Sequence, residues 1–205
     1  QDKAQFLSSA FLATTVTSLL ANTWLIARFG QPATFSASLI VFIFGSVVSS
    51  FAPTLDMIIV GRVIQGFGAG VIQPLVMVLL FDIFPREKRG VAMGLFRLGV
   101  AFALGLAPAL GGIVVDTLGW RYVFLIPVPV ALISLAMGVF FIPERKSRGP
   151  AGKFDYLGYA LMCGFVFCLM TILGNGQRWG WASDDIAILL TLMVLSLIGF
   201  VFSQQ

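Results

Sequence analysis

Histidine is absent from the 205-residue chain, and charged residues make up only 11% of it. The first absence removes imidazole as a proton carrier or metal ligand, so any proton step must use carboxylates, arginine-modulated groups or water. The second sets the chain apart from soluble domains, in which about 25% of residues are charged. Cysteine is scarce too: Cys163 and Cys168 are five apart on one expected helix, on different faces, and read as small apolar packing residues rather than a disulfide. There is no nucleophile elbow, metal-ligand spacing or phosphate loop, which predicts no enzyme, no catalytic residue, no metal site and no cofactor. Gly66-x-Gly68-x-Gly70 lies within an apolar run and follows no strand, so it does not read as a dinucleotide site. No start methionine or signal peptide precedes Gln1, and the chain reads as an internal piece of something longer.

What is present in abundance is apolar. Hydrophobic residues are 59% of the chain, twenty are Phe, and the mean hydropathy is +0.99. The fold class expected is an all-α, polytopic membrane helix bundle. Apolar runs long enough to cross ~30 Å of hydrocarbon lie near 6 to 27, 34 to 52, 56 to 81, 90 to 115, 120 to 142, 155 to 174 and 184 to 203. The net charge of +4 sits in short loops between these runs and predicts no nucleic-acid partner. Arg28, Arg86, Lys88, Arg89, Arg145, Lys146, Arg148 and Lys153 fall on one side, against Lys3, Arg121 and Arg178 on the other. The positive-inside rule then places Gln1 outside and Gln205 inside. The organisation expected is 1–142, five spans; 143–154, a basic cytoplasmic linker with Gly149, Pro150 and Gly152; and 155–205, two additional helices. Pro127 and Pro129 predict a kinked or loosened outer half for the fifth span.

One charge stands inside an apolar run. Arg62 lies about six residues, or ~9 Å, into the third span, where an ionisable residue costs roughly 2.5 to 3.5 kcal/mol on insertion scales. It reads as a functional charge facing a cavity or partner; the alternatives are partial snorkelling to a headgroup or a structural bond to a carbonyl. Gly66 and Gly70, four apart, form a face that lets a neighbouring helix approach closely. In the first span Thr14, Ser18 and Asn22 form a polar stripe that either lines a wet path or bonds to adjacent helices, the latter favoured. In the fourth span Gly99, Ala103, Ala107 and Gly111 recur at every fourth residue beside Pro108, with Gly112 after. That smooth ridge, with a bend expected at the proline, reads either as a seal and hinge or as ordinary small-residue packing. Arg97 is expected to snorkel or to pair with Asp82 or Glu87.

Taken in order, these stretches resemble the major facilitator superfamily, and within it the fourteen-helix drug:proton antiporters. Trp24-Leu25 through Arg28-x-Gly30 resembles the loop signature between the family's second and third helices. Arg62 through Gln65-Gly66-Phe67-Gly68-Ala69-Gly70 resembles the fourth-helix signature. Gly94, eight residues, Ala103, three residues, then Ala107-Pro108-Ala109-Leu110-Gly111-Gly112 resembles the fifth-helix antiporter signature. Ala27 stands where many members have Asp, Gln31 and Pro32 replace a basic pair, Ala103 and Ala107 replace glycines, and Pro127 stands for Asn.

The resemblance implies a major facilitator fold, here the N-terminal half without its first helix plus two linking helices. It implies proton coupling through Arg62 and Gln65, and an antiporter seal and hinge at Gly94, Gly99, Ala103, Ala107, Pro108, Gly111 and Gly112. Arg28 and Gly30 would serve a cytoplasmic gating loop. The activity implied is proton-coupled efflux of lipophilic, including cationic, compounds across a bacterial inner membrane by alternating access. Partners implied are protons, a lipophilic small molecule, the lipid bilayer, the remaining helices of a parent transporter and a periplasmic adaptor protein. The competing readings are an uptake carrier of the same superfamily and a membrane subunit without transport.

Overall fold

The computed structural model describes residues 2–142 and 154–203; side chains are described from Ser9 onward, Arg178 excepted. Among the described residues the structure is helical, and seven segments are long and apolar enough to cross a membrane. They are α1 (Asp2–Phe29), α2 (Gln31–Phe51), α3 (Leu55–Ile83), α4 (Arg89–Thr117), α5 (Pro127–Phe141), α6 (Tyr156–Trp179) and α7 (Asp184–Ser203), the fifth crossing segment including a turn that precedes α5. The chain is a multi-pass membrane protein. Residues 143–153, most of the basic linker expected from sequence, lie outside the described residues.

Local chemistry sets the helix ends. Gly30, at φ 81°, takes a left-handed turn between α1 and α2 that a side chain would strain, and Pro32 follows in the first turn of α2. The Thr54 side chain accepts a bond from the Met57 amide at the start of α3, and Asp155 does the same for Gly158 at the start of α6. Arg89 closes the other end of α3 by donating to the Phe81 and Phe84 carbonyls at 2.7 and 3.2 Å.

The prolines act differently in different spans. Helices α3 and α4 run unbroken through Pro74 and Pro108. The fifth span, expected near 120 to 142 with a kinked or loosened outer half, is divided, which is the loosened form. Its outer part is a 3-10 turn, Trp120–Phe124, and the α-helix begins only at Pro127. Pro127 lacks an amide donor and its ring fixes φ, so it suits the first turn of a helix better than the middle of one.

Helix α3 is the centre of the bundle. Helices α1 and α2 pack on its two sides, α5 lies against α2, and α6 and α7 form a hairpin docked on α1. Phe35 and Leu39 of α2, Leu75 and Leu79 of α3 and Ala131 of α5 make the buried apolar cluster, with Ile26 of α1 packed against it. The α6–α7 hairpin is closed by Trp181, whose ring lies where a Cβ on Gly176 would be, at 2.8 Å. Cys163 and Cys168 are both free. Helix α4 stands apart, touching α3 and the flanking turns but burying almost none of its length.

Candidate functional site

The glycines of α3 face two ways. A Cβ on Gly66 would lie 2.6 Å from the Phe11 carbonyl oxygen, and one on Gly70 would lie 2.8 Å from Ser18 Cβ, so these two receive α1. Gly61 and Gly68 point to α2, where added Cβ atoms would meet the Ser49 and Phe42 amide nitrogens at 2.8 and 2.7 Å. Gly45 of α2 answers from the other side, 2.7 Å from the Gly61 carbonyl oxygen by the same measure. Backbone is therefore close to backbone on both flanks of α3, an arrangement that small residues alone permit. Ser18 and Asn22 of the α1 stripe are buried in this packing, and the Ser18 hydroxyl donates to the Thr14 carbonyl at 2.6 Å.

Arg62 projects from the start of this compact triplet. It stands seven residues after Leu55, about 10 Å along the helix. One guanidinium nitrogen, Nη1, donates to Gln65 Oε1 at 3.1 Å, and Gln65 Nε2 donates to Ser46 Oγ of α2 at 2.8 Å. Gln65 is buried at 3% exposure, and Ser46 is fully enclosed. The guanidinium carbon lies 5.3 Å from the centre of the Phe11 ring and 4.9 Å from that of Phe124, within the range of cation–ring attraction. Among the described residues no carboxylate pairs with Arg62, and its Nε is buried without a hydrogen-bond partner, as are Asn22 Oδ1 and Ser49 Oγ. Buried polar groups in folded proteins are nearly always paired. The arrangement holds a net positive charge in an apolar span and leaves part of its hydrogen-bonding capacity open.

The other residues singled out in sequence are not gathered around Arg62. Gly94, Gly99, Ala103, Ala107, Pro108 and Gly112 are exposed along α4, and Gly111 is only half-buried. No atom approaches within 4 Å of a Cβ built on Gly94, Gly99, Gly111 or Gly112. Arg97 on the same helix is exposed. At the far end of the bundle Arg28 is exposed, and the residue that reaches across is Gln31, whose Nε2 donates to Asp82 Oδ2 at 2.7 Å.

Sequence reasoning missed Gln31 and Asp82 as a pair, Ser46, and both rings on Arg62. Ser46 had a legible signal, because Thr34, Ser38, Gly45 and Ser49 recur at helical spacing along α2 and mark a small, polar face. The rings had none, since Phe11 and Phe124 are two among twenty phenylalanines and are far from Arg62 in the chain.

A family model described as Major Facilitator Superfamily matches residues 2–204. Among curated proteins, Multidrug resistance protein 3 of Bacillus subtilis is 31% identical over 207 residues, covering 100% of this chain and 40% of that protein. Multidrug export protein EmrB of Haemophilus influenzae is 34% identical over 179 residues, covering 87% of this chain and 35% of that protein. A crystal structure of an auto-inhibited POT family peptide transporter superposes with a TM-score of 0.59 at 21% identity, covering 98% of this chain and 44% of that one. The chain thus spans about two fifths of the length of the curated relatives it matches.

Proposed function

Because the chain belongs to the Major Facilitator Superfamily, we propose that it contributes its helices to a proton-coupled antiporter that exports lipophilic compounds, cations among them, across a bacterial inner membrane. The observation that carries this reading is Arg62, a charge kept in an apolar span by two rings and a glutamine, with no carboxylate among the described residues to neutralise it. Export is supported by relatives whose names record multidrug resistance and multidrug export. Lipophilic cargo is supported by the mostly apolar lining of one cavity of about 540 Å³ between α1, α6 and α7, bounded by Trp24, Phe154, Tyr159, Met162 and Phe200 together with Thr23 and Asp155.

In the mechanism proposed, Arg62 and Gln65 form the proton-coupling site. A carboxylate brought beside Arg62 in one conformation favours the ionised form and releases its proton; withdrawn in the other, it takes one up. Coupling requires only that the two protonation states prefer different conformations. The exposed ridge of α4, Gly94 to Gly112, is the surface on which another part of the transporter slides and seals, and the Arg28–Gly30 turn belongs to a cytoplasmic gate. The loop charges orient the bundle with the α1–α2 and α3–α4 turns in the cytoplasm.

The experiment is transport by the complete polypeptide in vesicles. Arg62→Lys keeps a charge and insertion but loses the planar, two-sided stacking surface and the bond geometry, so proton-driven export is expected to fall at least tenfold with expression unchanged. Normal export by a well-expressed Arg62→Lys variant removes the coupling role.

A further inference from the structure

We propose that Phe11 and Phe124 clamp the Arg62 guanidinium between their rings, and that Phe124 is a positioning residue through which the outer Trp120–Phe124 turn sets where Arg62 points. The proposal rests on the reading of Arg62 as the coupling charge and adds to it the residues that hold that charge. Three elements converge: Phe11 comes from α1, Arg62 from α3, and Phe124 from the 3-10 turn between α4 and α5. Both rings are half-buried, at 5.3 and 4.9 Å from the guanidinium carbon.

A ring clamp differs from an ion pair in what it leaves behind. A carboxylate would neutralise Arg62 and occupy its donors; ring faces attract the cation while its charge persists and its N–H groups stay available. Among the described residues Nη1 is bonded to Gln65 and buried Nε has no partner. The charge is therefore fixed in place yet open to a conditional partner.

The two rings are not equivalent. Phe11 sits where α1 packs tightly on Gly66 of α3, with backbone in near contact. Phe124 borders a cavity of about 250 Å³ between its own turn and the α2–α3 connection, lined also by Ala52, Pro53, Leu55, Ile58 and Trp120. That space lets the Phe124 ring move while Phe11 stays. Movement of the turn that joins α4 to α5 is thus transmitted to Arg62 through Phe124, joining the otherwise separate α4 ridge to the half-buried charge.

Fluorination tests this directly, because successive fluorines weaken the negative face of the ring with little change of shape. Mono-, di- and trifluorophenylalanine are placed at position 124 of the complete polypeptide, and melting in detergent and initial export rate are read for each. Melting temperature is expected to fall stepwise with fluorination in the Arg62 protein and not in an Arg62→Met background. Export is expected to fall stepwise by about 2- to 30-fold in total, the range spanned by exposed and desolvated cation–ring contacts. The same series at Phe140, which is 82% exposed, should be flat in both readouts. A flat melting series, or one equally steep in Arg62→Met, overturns the clamp. A stepwise fall in melting with unchanged export overturns the positioning role. Normal export by Arg62→Lys overturns the coupling reading instead, and the melting series still decides the clamp.

Discussion

Replacing Gly66 with alanine adds one methyl group at a close backbone approach of α1 to α3, beside the Arg62 site. The new Cβ would lie 2.6 Å from the Phe11 carbonyl oxygen and 3.2 Å from Thr14 Cβ, where ordinary contact begins at 3.4 Å. Helix α1 must therefore withdraw by 3.4 − 2.6, or 0.8 Å, at Phe11. The facing atom is backbone, so no side-chain rotation relieves the clash. Overpacking of this kind costs about 1–3 kcal/mol, offset by the ~0.5–1 kcal/mol that alanine gains over glycine in a helix. The net expectation is a loss of about 0–2.5 kcal/mol, with a further effect on export because the displaced residue carries a ring of the Arg62 clamp. Gly99→Ala is the matched control: it adds the same methyl to another glycine of the bundle, where nothing lies within 4 Å. Thermal unfolding of purified protein in detergent should show Gly66→Ala below the parent and Gly99→Ala at or above it. Equal melting of the two variants would refute the packing argument.

Gln65→Leu removes the acceptor of Arg62 Nη1 and the donor to Ser46 in one change. Leaving a buried polar partner unsatisfied costs about 1–3 kcal/mol, so the variant should melt lower, and adding Ser46→Ala should recover part of the loss. Gly99→Leu, on the open ridge of α4, should leave melting within ~0.5 kcal/mol of the parent yet reduce export several-fold if that ridge is a seal; unchanged export removes the role. Single cysteines at positions 86 and 178, in a protein with Cys163 and Cys168 replaced by alanine, should label from the cytoplasmic and outer faces respectively. The reverse pattern overturns the orientation.

How much of this was legible in the sequence depends on the range of the physics involved. Apolar run length and loop charge are local, so the membrane helices could be read from composition and spacing. The division of the fifth span was less so. Two prolines in an apolar run predicted disturbance, but whether a proline bends a helix or starts one depends on the neighbouring structure. Pro74 and Pro108 lie within continuous helices, while Pro127 begins one. Arg62 was legible because a charge in an apolar span is conspicuous, and Gly66 with Gly70 because fourfold spacing defines a face. That Gly68 faces the opposite neighbour follows from helical periodicity, but its contact with α2 does not. The rings of Phe11 and Phe124, and the reach of Gln31 to Asp82, are meetings of residues far apart in the chain. No local pattern encodes them.

The most direct test of the central claim is transport by the complete polypeptide, reconstituted in vesicles with an imposed proton gradient and a fluorescent lipophilic cation. The cation is expected to move against the proton flow, collapse of the gradient to stop it, and Arg62→Lys to reduce it at least tenfold at equal protein content. Movement of the cation in the same direction as protons, or full coupled export by Arg62→Lys, would contradict that claim.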